Sequence, residues 1–177
     1  MTMRGLRTVV TAAAVAVLAT GGIAGAAVAA ESGAGAGACQ SGTLKVTTTD
    51  AGQSQVGMNH AGTYLKVTNT GDETCAIKGY AGLALEGAGH TALKTKVRHG
   101  DTYFAQDPGA HTVTLKPGGV AYADLVWTHT GADAAPAKYL QVSPTGSNSH
   151  SVVPLQDDVD NGTLNLTAWS AKLPTAG

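Results

Sequence analysis

Charge is scarce in this chain. Only 13% of its 177 residues are Asp, Glu, Lys or Arg, and the formal net charge is −1. A surface so close to neutral has no electrostatic reason to hold nucleic acid or anionic lipid. There is no basic stripe either: Lys94, Lys96 and Arg98 stand at alternate positions, as on the solvated face of a strand. Aromatics make up 5%, with a single Phe, and there are two cysteines. No segment beyond the first thirty residues carries a 3.6-residue apolar stripe, so nothing reads as a helix bundle or coiled coil. No internal repeat is present.

Catalytic patterns are missing as well. No serine sits in G-x-S-x-G or beside a base; Ser149-His150-Ser151 reads as a polar turn. Gly-rich phosphate loops need a strand and a following helix, and no helix is on offer. Asp157, Asp158 and Asp160 read as a solvated acidic loop, with weak calcium binding as the alternative, although the spacing matches no EF-hand. The six histidines form neither H-x-H nor H-E-x-x-H, and most neighbour Gly, Asn or Thr. They read as solvated loop residues. The one competing thought is that His99 and His111, at the two ends of a long loop, meet over zinc. No cofactor and no enzyme activity are expected.

What is present begins with export. Residues 1–8 carry Arg4 and Arg7 and no acid, residues 9–28 carry no charge, and Val28-Ala29-Ala30 places small residues before Glu31. That is a Sec-type signal peptide over 1–30, cleaved rather than kept as an anchor. Arg4 and Arg7 are not adjacent, so twin-arginine export has no support. Cleavage leaves the chain near a net charge of about −3, secreted and no longer membrane-spanning. A Gly/Ala spacer over 31–38 follows and should be mobile. Because this spacer separates Cys39 from the apolar stretch, a lipoprotein anchor is not expected.

Two cysteines in an exported chain point to a disulfide between Cys39 and Cys75. Free buried thiols and an intermolecular bond are the alternatives. An internal bond would close a ring of about 37 residues, worth roughly 3–4 kcal/mol in the chain-entropy model.

From residue 43 onward the chain reads as short β-branched runs separated by Gly, Pro, Asn and Asp. Strands are expected over 43–49, 63–68, 74–85 (broken at Gly79 and Gly82), 93–98, 112–115, 120–128, 139–143 and 163–168. Turns are expected at Asn69-Thr70-Gly71-Asp72 and Lys116-Pro117-Gly118-Gly119. In the best strand, Ala121, Ala123, Leu125 and Trp127 share one face. Tyr122, Asp124, Val126 and Thr128 share the other; likewise Tyr64, Lys66 and Thr68 stand opposite Leu65 and Val67. Many short strands with turn punctuation indicate an all-β fold, an immunoglobulin-like antiparallel β-sandwich of about eight strands. Its core is expected to hold Leu65, Val67, Ile77, Leu125 and Trp127.

Several of these residues form an ordered pattern: Cys39; Tyr64-Leu65-Lys66-Val67-Thr68-Asn69-Thr70-Gly71; Thr74-Cys75-Ala76-Ile77-Lys78-Gly79-Tyr80; Leu115-Lys116-Pro117-Gly118-Gly119; and Leu125-Val126-Trp127. In order and spacing they resemble actinobacterial secreted proteins and lipoproteins that carry the DUF4232 domain of unknown function. The resemblance covers roughly 39–168, with the domain taken as 39–172. It implies an extracellular β-sandwich and brings no activity. Members of that family often carry a second cysteine pair. The corresponding segments here, 130–135 and 159–162, have none, which implies a looser C-terminal half.

The segment 99–111 is longer than a hairpin needs. It holds His99, Asp101, Tyr103, Phe104, Asp107 and His111. Adjacent aromatics in a polar loop can make a contact patch for a ligand or partner, but for Phe104 itself the favoured reading is that it folds back to plug the open end of the sandwich. The function expected is that of a secreted, non-enzymatic binding module whose partner is a cell-wall component or a secreted protein. A secreted protease inhibitor or toxin-associated interaction protein is the alternative, and a hydrolase comes third.

Overall fold

The computed structural model describes residues 35–131, 133–144 and 148–177. The expected signal peptide and residues 31–34 of the expected spacer lie outside the described residues. Eleven strands follow one another among those described: β1 (Leu44–Thr49), β2 (Val56–Gly57), β3 (His60–Asn69), β4 (Cys75–Lys78), β5 (Gly82–Glu86), β6 (Lys96–His99), β7 (Thr112–Leu115), β8 (Val120–Thr128), β9 (Ala134–Ser143), β10 (Ser151–Asp160) and β11 (Thr163–Leu166). Among the described residues the only helical pieces are two three-residue 3-10 turns. No described helix is long and apolar enough to cross a membrane.

The fold is all-β and sandwich-like. A six-stranded sheet runs β1-β3-β8-β11-β6, with β2 also paired to β3; a second sheet runs β10-β9-β5, and β4 and β7 form a third. β10 packs across β1 and β8. Between the layers lie Leu65, Val67, Ile77, Leu125 and Trp127, joined by Leu85, Leu115, Leu140, Leu164, Leu166 and Trp169 in one cluster. Alternation is the reason: successive side chains on a strand point to opposite faces, so Ala121, Ala123, Leu125 and Trp127 reach the same interior.

The structure departs from the sequence expectation in four ways. Three sheets form rather than two, and the pairing is not wholly antiparallel, because β11 and β6 run parallel. Gly162, entering β11, has φ +62°, and a Cβ there would stand 1.9 Å from the Lys94 carbonyl oxygen, so only glycine fits this close approach. Second, Asp157, Asp158 and Asp160 are not in a loop but in β10, paired with β9. Third, the last two residues of the expected spacer are tied down: Cys39 N–H donates to Ala76 O and Ala76 N–H donates to Gly37 O. Fourth, Tyr64, Asp124 and Val126 are buried although they face away from the main cluster. The centre of the large sheet is therefore covered on both faces.

That second face is closed by connections rather than by strands. Gly62 N–H donates to Gln55 O, Thr167 N–H to Asp124 O, and the Tyr64 hydroxyl to Gln53 Oε1 at 3.3 Å. A Cβ on Gly62 would lie 3.0 Å from both Gln55 Oε1 and Leu125 O. Glycine at that position lets the segment leading into β2 lie against β3.

Candidate functional site

Two pieces of chain distant in sequence meet at one end of the large sheet. One is the β2–β3 hairpin. Its turn, Met58-Asn59, takes φ of 49° and 67°, the left-handed pair that matches the twist of a two-residue hairpin. The other is the 100–111 connection between β6 and β7. His60 stacks flat on Tyr103, with centroids 4.0 Å apart, and Tyr103 meets Phe104 edge-on at 5.0 Å. Val56 is 68% exposed, Met58 82% and Tyr103 51%, so three of the four large apolar side chains left exposed among the described residues belong to these two pieces. Apolar side chains gathered in this way mark interaction surfaces more than isolated ones do.

Buried polar groups hold the connection in place. Asp124, fully buried on the outer face of β8, accepts a hydrogen bond from Gln55 Nε2 on one carboxylate oxygen and from the Thr102 hydroxyl on the other. Burial pushes its carboxyl up, against the lowering effect of those two bonds. Burial, and then the charge of Asp124, raises Tyr64. Thr102 Oγ1 also receives the N–H groups of Phe104 at 3.3 Å and Ala105 at 3.0 Å. Farther along, the Tyr80 hydroxyl donates to Asp107 Oδ2 at 2.5 Å, a bond that raises Tyr80 above its ordinary value. Asp107 Oδ1 accepts from Ala168 N–H, and Asp107 N–H donates to Asp101 Oδ1. A polar loop bound at this many points presents Tyr103 on a fixed backbone.

The model of a family described as a domain of unknown function, DUF4232, matches residues 39–170. The chain belongs to the DUF4232 family. No curated protein and no solved structure matches it.

In this DUF4232 domain the residues that carried the resemblance build the frame. Asn69 is buried; its Nδ2 donates to Glu73 O and Leu115 O, and its Oδ1 accepts from Gly71 N–H. Its backbone pairs with Gly118 and Gly119, which joins the two expected turns. Gly79, at φ +72°, accepts from Trp169 N–H through its carbonyl. Cys75 is bonded to Cys39. An open cleft of about 590 Å³ beside that disulfide is lined by Gln40, Thr43, Asn69, Asp72 and Glu73, with Asn69 already engaged in the frame.

The five loop residues named from sequence fall into two groups. Tyr103 and Phe104 join His60 at the exposed end, as described above. His99 stacks on Tyr80 at 4.2 Å, Asp101 braces the loop, and His111 Nδ1 lies 2.8 Å from Gly109 O. Phe104 does not plug the sandwich as expected: it is half-buried against Tyr103 and stands outside the core cluster, whereas Ala105 is the loop residue that is buried. Among the described residues no three His, Cys, Asp or Glu gather to hold a metal ion, so the His99–His111 zinc idea finds no third ligand.

Sequence reasoning missed Val56, Met58, Gln55 and Asp124 as parts of this region. It also missed a polar triad on the other side: Trp127 Nε1–H donates to Asp157 Oδ2 at 2.9 Å, and His129 Nδ1 lies 3.2 Å from the same oxygen. Val56 and Met58 could not be placed from local pattern, because their joining to this region depends on the contact of His60 with Tyr103, far apart in sequence.

Two further carboxylates contribute to the loss of stability in acid. Hydrogen bonds from His90 and then Gln141 hold Glu86 below its ordinary value. Burial of Asp160 works upward, but bonds from Thr128 and the Gly131 and Thr130 amides, with the charge of His129, leave it lowered. A depressed folded-state pKa adds stability above the unfolded value and loses it as pH falls through the folded one. Stability should therefore drop from about pH 4.5 downward. Glu86→Gln combined with Asp160→Asn should flatten that limb in urea titrations repeated across pH; an unchanged slope would refute the assignment.

Proposed function

We infer that this DUF4232 domain is a non-enzymatic binding module that works outside the cytoplasm, in the secreted space or cell envelope. Its contact surface is the end formed by the β2–β3 hairpin and the 100–111 connection. The observation that carries this reading is the exposure of Val56, Met58 and Tyr103 together on a braced backbone. A rigid aromatic on the loop and a flexible methionine at the hairpin turn supply contact area at low entropy cost. Two His–carboxylate contacts bear on the rival hydrolase reading. Glu86 serves His90 and Gln141, and Asp157 serves Trp127 and His129. Each carboxylate is engaged by structural donors, which supports a non-catalytic role.

The partner classes are a cell-wall component and a secreted protein. The test is quantitative binding of the purified domain to isolated cell walls and to secreted proteins, with the double variant Met58→Ser, Tyr103→Ser as comparison. Affinity should fall at least tenfold, about 1.4 kcal/mol or more, with little change in melting temperature. Equal binding by the variant would overturn the reading. Inhibition of a secreted protease that the variant retains would move the function to another surface.

A further inference from the structure

We propose that Thr102 and Gln55 are the two halves of a self-forming ester cross-link, with Asp124 as its proton carrier. The inference stands apart from the choice of binding partner. The hydrogen bonds around Thr102 exceed what simple clamping requires. Thr102 Oγ1 directs its proton to a fully buried carboxylate, with Ala105 O at 3.3 Å as the alternative acceptor. The same oxygen receives two backbone N–H groups, Phe104 at 3.3 Å and Ala105 at 3.0 Å. A hydroxyl with a base on its proton and donors aimed at its oxygen is an activated nucleophile, because the donors stabilise the alkoxide as it forms.

The electrophile is held on the other oxygen of the same carboxylate. Gln55 is buried and its Nε2 donates to Asp124 Oδ1. Its carbonyl oxygen, Oε1, is buried with no hydrogen-bond partner. A buried amide carbonyl without a donor is costly. An ester carbonyl is the weaker acceptor, so conversion reduces that cost. Holding both reactants on one buried group turns a bimolecular reaction into an intramolecular one.

The chemistry balances without any outside reagent. Asp124 takes the Thr102 hydroxyl proton as Oγ1 bonds to Cδ of Gln55. The tetrahedral centre then expels Nε2, which takes the proton back from Asp124 and departs as ammonia. The products are one ester bond, one ammonia and the carboxylate unchanged. Burial of Asp124, which pushes its carboxyl up, makes it the stronger base for the first transfer. The closed face also shields the ester from water. Its placement has a consequence for the exposed end. Gln55 immediately precedes β2 and Thr102 immediately precedes Tyr103, so the bond would fasten the hairpin to the loop covalently.

Mass spectrometry decides this directly on the full chain as secreted. After denaturation, thiol reduction and trypsin digestion, the peptide containing Gln55 should be found joined to the peptide containing Thr102. Its mass should be that of the two peptides less one ammonia, and mild alkali should separate the halves. Thr102→Val and Asp124→Asn should each give separate peptides while the Cys39–Cys75 bond still forms, which reports that the variants fold. Separate, unmodified peptides from the unaltered chain would overturn the proposal and leave the three residues as a hydrogen-bonded clamp.

Discussion

Trp169→Ala should remove about 3–5 kcal/mol of unfolding free energy, the range for deleting a large buried aromatic. Trp169 heads the fully buried side chains by volume and belongs to the main core cluster. It follows β11 on a segment with no strand of its own, yet that segment is bonded at each step. Trp169 N–H donates to Gly79 O, Ser170 N–H to Tyr122 O, and Tyr122 N–H to Ser170 O. The indole Nε1–H reaches Pro144 O at 3.0 Å. Alanine would leave a cavity and an orphaned carbonyl together. Trp169→Phe retains much of the volume and loses only the donor, so it should cost less, roughly 1–3 kcal/mol. Urea unfolding of both variants checks the order. An alanine variant within about 1 kcal/mol of the parent would mean that the C-terminal segment packs outside the cooperative unit.

Reading strands from alternation worked where a strand buries one face and a turn residue marks its end. β7 and β8 fall where expected because Lys116-Pro117-Gly118-Gly119 separates two clean alternating runs. β10 was hidden for the opposite reason. Pro154 sits inside it, three acids crowd its end, and the register shifts between Pro154 and Asp157, with Gln156 at φ +55°. A bulge of this kind breaks the period of two on which the reading depends. Parallel pairing of β6 with β11 was equally out of reach, since the partners lie more than sixty positions apart and are joined by no helix.

The site was half legible for a related cause. Tyr64 and Asp124 stand on the polar face of their strands, and local pattern assigns such residues to water. Only the return of Thr102 and Gln55 from elsewhere in the chain shows that this face is covered. Val126 was the warning, an aliphatic residue among Tyr122, Asp124 and Thr128. The long loop itself stood out through its length and paired aromatics. Its partner hairpin did not, because contact between His60 and Tyr103 is a fact of three dimensions.

The two cysteine-free segments at 133–135 and 159–161 face each other. Ala134 pairs with Asp160 and Ala135 with Val159. Asp160 fastens them by accepting the Gly131 N–H at 2.7 Å, while Asn161 N–H donates to Asp133 O. This part of the C-terminal half is therefore held by hydrogen bonds, whereas the disulfide Cys39–Cys75 restrains the N-terminal part.

Breaking that bridge should cost roughly 3–4 kcal/mol, the chain-entropy value for a ring of this length. The two cysteines lie 36 positions apart, with 4.7 Å between their Cα atoms, and both sit in the core cluster. The ring encloses β1, β2 and β3. Among the described residues β1 pairs with no other strand than β3, so cutting the ring frees an edge strand together with its N-terminal lead. The double variant Cys39→Ala, Cys75→Ala adds no buried polar group and isolates the loss of the cross-link. Denaturant unfolding should register the full deficit, and hydrogen exchange should quicken first at Ala76, whose amide is held by Gly37 O. Fast exchange at Ala76 with global stability reduced by less than about 1 kcal/mol would show a local pin on the N-terminal segment, because a constraint acting on the whole unfolded chain must appear in the global term.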